Sequence, residues 1–298
     1  MDQAPVGSSW PTPITFTPPV KLRQIRSLEE YHDYVGRSAH GQRDLRAFED
    51  ACARSSWTRL VGVPGYSFPA GRKVRFRIPS KRSANDINWR EELVCPVTHL
   101  NNRLRASVHL FELLFSPFAD ERIFISEQVT PLYRLLRAKY PNLVGSEYVS
   151  PDSEPGGIDQ RGIRHEDLTA LSFASGSLDF VLSFDCLEHF PAYVKALQEC
   201  ARVLRPGGTM IWSVPFVTGN HHNIQRAAIV DGEIRHILEP EYHGDPMTSA
   251  GCLCFTHFGW EMLEQVRESG FKDAYAIPYA SREFGYLGQG QVLFVARR

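Results

Sequence analysis

Histidines and carboxylates recur in the second half of this 298-residue chain at spacings suited to proton chemistry. His189 directly follows Leu187 and Glu188, and Asp185 stands just before them. Further on come His221, His222, His236, the run Glu241-Tyr242-His243-Gly244-Asp245-Pro246, Cys252, Cys254 and His257. A histidine titrates near neutral pH and suits a base that takes a proton from a reacting hydroxyl. His189 and His243 are the candidates for that role, with the alternative that His189 is a locally hydrogen-bonded helix-start residue. His221 with His222 reads as an exposed loop pair or as substrate contacts. A His243/Asp245 pair has no further ligand at metal spacing, so no metal is expected.

The elements that must position these residues lie mainly in residues 163–216. Phe180-Val181-Leu182 and the run 210–214 are apolar and of strand length. Between them Val194, Leu197, Ala201 and Leu204 recur at three- and four-residue steps, one face of an amphipathic helix. Pro206-Gly207-Gly208 ends that helix. Strand, helix, strand at this spacing is a right-handed parallel crossover. An apolar run at 122–125 starts the sheet, and 142–147 supplies its second strand. A helix follows His257 (Phe258, Met262, Val266) and closes at Gly270, and runs 271–280 and 291–296 pair as a hairpin. The stretch 217–256 leaves this pattern and reads as a lid or acceptor pocket.

The acid Asp167 after the third strand, the fourth strand ending in Leu187-Glu188-His189, and the stop Leu204-Arg205-Pro206-Gly207-Gly208 come in order. In this the chain resembles class I S-adenosylmethionine-dependent methyltransferases of the small-molecule "type 11" kind. The resemblance covers about residues 119–298. It implies an α/β fold, a Rossmann-like doubly wound seven-stranded sheet with a C-terminal antiparallel hairpin. It also implies S-adenosyl-L-methionine as cofactor and an enzyme of the natural-product type, while composition and cysteine usage are what point to a cytoplasmic protein.

The main departure from the family is the loop after the first strand, Ser126-Glu127-Gln128-Val129-Thr130, which has none of the expected glycines. Either Glu127, Gln128 and Thr130 contact the amino-acid end of the cofactor, with Glu127 on its ammonium, or the pocket is altered and binding weakened. Thr130 and Pro131 suit a helix cap and first helical position. Glu147, beside Tyr148, ends the second strand where such folds place a carboxylate for the ribose hydroxyls. Asp167 and Leu168 are expected at the adenine, although Asp167 also reads as a turn cap. Ser183 and Phe184, with Asp185, border the transferable methyl. On the acceptor side the candidates are His221, His222, Tyr242, Asp245, His257 and Arg282.

Residues 1–24 read as an extended lead-in, not a secretory signal, and 25–118 as a small N-terminal α+β module with helices and a hairpin. The methyltransferase domain then runs over 119–298. The segment 88–103 resembles a zinc-ribbon-like module with half of each knuckle missing: Cys52 is followed by Ser55 and Cys95 by Thr98, with His99 nearby. Packing around Trp57, Phe76 and Trp89 would then replace the metal. Nine basic residues over 72–105 form a strip that reads as solvated surface or as contact for an anionic or carrier-bound substrate. A hydrophobic share of 43% with 22% charged residues is that of an ordinary globular chain. A net charge of -1 gives no field for nucleic acid or membranes, and six scattered cysteines suggest a reducing compartment. The expected function is methyl transfer to a small molecule, with oxygen as the receiving atom. The alternatives are a methyltransferase fold doing non-methylating chemistry, a pseudo-enzyme, and a binding module for an acidic partner.

Overall fold

The computed structural model describes residues 22–55, 62–78 and 87–298. The proline-rich start of the lead-in, Trp57, Lys81, Arg82 and Asp86 lie outside them. Ser27 accepts the Glu30 N–H at 3.2 Å and opens α1 (Leu28–Ser55), one long helix. The hairpin β1 (Val63–Ser67) and β2 (Arg72–Phe76) follows, then α2 (Asn102–Phe115), capped by the Asn101 side chain on the Leu104 N–H. The sheet-forming part runs β3 (Ile123–Ile125), α3 (Pro131–Lys139), β4 (Val144–Gly145) and β5 (Leu178–Phe184). A 3-10 turn (Leu187–His189), α4 (Tyr193–Val203) and β6 (Leu204–Ser213) complete the crossover. Three short antiparallel pairs build the insertion: β7 (Ile224–Gln225) with β12 (Thr256–His257), β8 (Ala227–Val230) with β9 (Glu233–His236), and β10 (Tyr242–His243) with β11 (Cys252–Leu253). Last come α5 (Glu261–Glu268), β13 (Asp273–Pro278) and β14 (Val292–Arg297).

The main sheet has the order β13-β14-β6-β5-β3-β4, parallel from β6 to β4 and antiparallel at the C-terminal hairpin. This is the expected doubly wound sheet with six strands, not seven. The seventh position is a single parallel rung between Glu147 and His165. The intervening segment turns at Gly156 and Gly162, both at positive φ, so only one rung forms. Alternation along β5 serves both faces: Phe180 and Leu182 pack with α2 and α3, and Val181 packs with α4 and α5. The buried face of α4 is Ala196, Leu197, Cys200 and Ala201. Val194, expected in that face, is exposed, and Tyr193 takes the inward place in the first turn, packed edge-on to Phe258.

Among the described residues the N-terminal part is fastened to the rest at several places. Ile25 exchanges two backbone hydrogen bonds with Ala276 beside β13. Arg105 is buried, stacks over Phe76 at 3.6 Å and donates to the carbonyls of Phe284 and Gly285. Arg90 and Arg103 converge on Asp185 at the end of β5, at 2.5 and 3.2 Å. Three residues of the supposed solvated strip are therefore turned inward. Cys52, Cys95 and His99 form no three-ligand group among the described residues, and Cys95 packs with Val63, Phe76 and Leu93. No helix among the described residues is long and apolar enough to cross a membrane.

Asp185 has a left-handed backbone, φ 51°, which costs a non-glycine residue about 1–2 kcal/mol. Two arginines and the Ser213 hydroxyl at 2.8 Å hold it there. Asp185→Ala leaves two largely buried guanidinium groups with Glu91 as their remaining shared acid and should lower stability by ~1–3 kcal/mol in urea denaturation. A loss below about 1 kcal/mol would show that the cluster is not what joins the two parts.

Candidate active site

The carboxyl ends of β3, β4 and β5 open into a cavity of about 1450 Å³. One side is Ser126, Glu127, Thr130, Glu147, Tyr148 and Asp167. The other is His189, Tyr242, His243, Asp245 and His257 from the 3-10 turn and the insertion. Residues 87–91 and 288–292 close the remaining wall, so the N-terminal part contributes lining side chains of its own. This is the switch point of the sheet, where chains on the two faces diverge and leave a crevice.

Glu147 organises the cofactor-side wall. Its Oε1 accepts the backbone N–H groups of Gln128 and Val129 at 2.6 and 2.9 Å. Burial raises its carboxyl above the ordinary value, against the pull of those two amides. The loop thus has a carboxylate anchor where the family has glycines. Thr130 caps α3 by accepting the Tyr133 N–H, with Pro131 in the first turn. The Thr130 hydroxyl also donates to Glu127, whose carboxyl burial pushes up to about 7 against that bond and Arg103. Close approach is made possible by Gly145 on the neighbouring strand. A Cβ there would stand 2.5 Å from the Tyr133 ring and 2.6 Å from the Glu127 carbonyl oxygen.

Several expected contacts lie elsewhere. The Gln128 side chain is committed to the 162–164 segment, donating to the Gly162 carbonyl and accepting the Arg164 N–H. Leu168 is in the helix-side core, and Ser183 is buried against the Ser126 hydroxyl at 3.1 Å; neither lines the cavity. Asp167 does line it, yet one of its oxygens caps its own turn through the N–H and hydroxyl of Thr169. Tyr148 and Phe184 line it as well. On the acceptor side Tyr242, Asp245 and His257 face the cavity, whereas His221 and His222 do not. His222 pairs with Glu261 at the start of α5, and Arg282 lies over the Phe48 ring of α1. Lining residues not anticipated include Trp89, Arg90, Thr169, Phe190, Phe216 and Gln291. Thr169, by its place beside Asp167, and Arg90, by its place in the basic strip, carried a signal in the sequence.

The three expected catalytic residues all border the cavity, with different characters. Burial opposes ionisation of Asp185, but Arg103, Arg90 and Ser213 hold its carboxyl well below the usual range, so it is an anchor and not a proton acceptor. His189 Nδ1 lies 2.8 Å from the Leu253 carbonyl. His243 is edge-on to His189 with ring centres 5.0 Å apart, and its Nε2 lies 2.9 Å from Glu241. The Glu188 carboxylate, against partial burial and with help from Glu241, lifts the His243 imidazole to about 9. A group already protonated at neutral pH is a poor base.

Residues 142–212 match the family model described as "Methyltransferase domain". Over 53 residues the chain is 42% identical to a probable S-adenosylmethionine-dependent methyltransferase of Mycolicibacterium smegmatis. Residues 142–212 thus carry a methyltransferase domain match. The 53-residue alignment covers 18% of this chain and spans about a fifth, 21%, of the relative. Among solved structures, a methyltransferase from Mesorhizobium loti is similar at 16% identity, covering 65% of this chain and 98% of that one, with a TM-score of 0.40. The 1,6-didemethyltoxoflavin-N1-methyltransferase of Burkholderia thailandensis is similar at 17% identity, covering 65% and 77%, with a TM-score of 0.37.

In the methyltransferase domain Gly145 is what lets the glycine-free loop sit where it does. Gly145→Ala should displace the loop and cost about 1–3 kcal/mol, the usual range for overpacking. Unchanged urea midpoints would contradict this close approach.

Proposed function

We propose that the protein transfers a methyl group from S-adenosylmethionine to a small-molecule acceptor in this cavity, with an oxygen atom as the receiving atom. The observation that carries the reading is Glu147 at the tip of β4, gripping the loop through one oxygen while its carboxylate borders the cavity. A cavity of about 1450 Å³ exceeds the ~300–1,000 Å³ of a single drug-sized ligand and has room for cofactor and acceptor together.

Glu147 would take the ribose hydroxyls with its remaining acceptor capacity, and Glu127 the ammonium group. Asp167, through the oxygen its turn does not use, and Thr169 would meet the adenine edge, with Tyr148 and Phe184 as apolar neighbours. When bound, the cofactor would supply an electrophilic methyl, its carbon–sulfur bond giving way to the new carbon–oxygen bond with the electron pair left on sulfur as a neutral thioether, and the proton of the acceptor hydroxyl would pass to solvent. The protein mainly positions the acceptor, and His189, Tyr242 and His257 supply the polar wall for it. Arg90 and Arg103 are already paired with acids, so the reading requires no anionic acceptor. The non-methylating alternative has no feature of its own among the described residues.

Isothermal titration with S-adenosylmethionine tests the reading. Wild type should bind, and Glu147→Ala should bind ~1–3 kcal/mol more weakly, the cost of orphaned polar groups. No binding by wild type would overturn the proposal. Affinity should also depend on pH through Glu127. Its carboxyl, raised to about 7, is neutral below that value and attracts a cation only above it. Binding should be roughly five- to tenfold weaker at pH 6.0 than at pH 7.4, a slope set by one proton. Glu127→Gln should flatten it, and a flat wild-type profile would remove Glu127 from the ammonium site.

A further inference from the structure

Glu188 has no accessible surface, and neither of its carboxylate oxygens accepts a hydrogen bond of ordinary geometry. A buried carboxylate in that condition is costly unless a cation meets it. Two imidazoles face it. His189 Nε2 stands 3.7 Å and His243 Nδ1 3.4 Å from Glu188 Oε1, and the three donor atoms lie within 4.8 Å of one another.

The far side of each ring fixes what the near side offers. His189 Nδ1 is 2.8 Å from the Leu253 carbonyl, which can only accept, so that nitrogen carries the hydrogen and Nε2 turns toward Glu188. His243 Nε2 is 2.9 Å from the Glu241 carboxylate, which leaves Nδ1 on the Glu188 side, where its proton meets Glu188 in the ion-free protein and a bound metal ion would take that proton's place. Imidazoles with one nitrogen on a carbonyl or carboxylate and the other toward a common centre are the usual second support of metal-binding histidines. At 3.7 Å the His189–Glu188 gap is too long for one hydrogen bond to close. Donor atoms about 2.0–2.1 Å from a tetrahedral ion stand roughly 3.3 Å apart, close to the 3.4 and 3.7 Å found.

We propose that Glu188, His189 and His243 form a site for one divalent first-row transition-metal ion in the cavity wall. Two imidazoles and one carboxylate suit zinc, iron(II) or cobalt better than magnesium or calcium, which prefer all-oxygen sets. His189 and His243 both border the cavity, so the remaining coordination positions face it. The ligands come from the 3-10 turn and from β10 of the insertion, and His189 reaches the carbonyl of Leu253 in β11, the strand paired with β10. An acceptor oxygen bound to such an ion would release its proton to solvent more readily. That last role rests on the methyl-transfer reading, whereas the existence of the ion site does not.

The test uses the full chain stripped with a chelator, titrated with Zn²⁺ by calorimetry and with Co²⁺ by visible absorption. One ion per chain is expected, with an absorption pattern of low-symmetry cobalt bound to nitrogen. Glu188→Gln and His189→Ala should each weaken binding at least about 100-fold and abolish the cobalt band. His222→Ala, which alters the exposed pair at α5, should leave both unchanged. Thermal unfolding and S-adenosylmethionine titration of every variant show whether it is folded. Should Glu188→Gln not fold, His243→Ala, at a half-buried position on the insertion, decides. Absence of stoichiometric ion binding by wild type, or binding that survives these substitutions in folded protein, overturns the site. Ion binding without cofactor binding would leave the site standing and sink the methyl-transfer reading.

Discussion

A buried carboxylate holding two backbone amides is the interaction on which this candidate site depends. In a strand-to-helix loop that lacks glycine, the chain cannot come close to a ligand by being small. It needs its amides held from outside, and Glu147 does so from the neighbouring strand. Gly145, two residues earlier, removes the side chain that would keep the loop away. Thr130 and Pro131 then start α3 directly behind the loop. The missing glycines are in this sense compensated by one glycine and one acid on the adjacent strand.

Charge joins the remaining parts. Asp185 stands at the end of β5 in a strained backbone, and two arginines from the N-terminal part close on it. Those arginines make that part a wall of the cavity. The insertion is tied to the opposite side through the Leu187–His189 turn, by the Phe255 amide and the Leu253 carbonyl. Both attachments lie just after the end of β5.

The chain pattern made the sheet and its crossover legible, because β5, α4 and β6 carry periodic apolar residues and a proline-glycine stop. It also placed Glu147, Glu127, Asp185, His189 and His243 at the cavity, since each sits at a strand end or in the insertion that returns to it. The roles of individual side chains were less legible. Gln128 and Leu168 turn away because local hydrogen bonds and core packing claim them. His221 and His222 lie at the start of α5, where Glu261 takes His222. Arg90 and Arg103 read as surface because their partner Asp185 is far along the chain. The meeting of His243 with Glu188 and His189 depends on how the insertion folds back, and no spacing announces it.

The most direct measurement is a crystal structure of the protein soaked with S-adenosylhomocysteine. The account predicts the nucleoside in the cavity with its ribose hydroxyls on Glu147, and the Gln128 and Val129 amides still bound to the same carboxylate. Density for the nucleoside elsewhere, or Ser126 to Thr130 filling an empty cleft at saturating ligand, would contradict it.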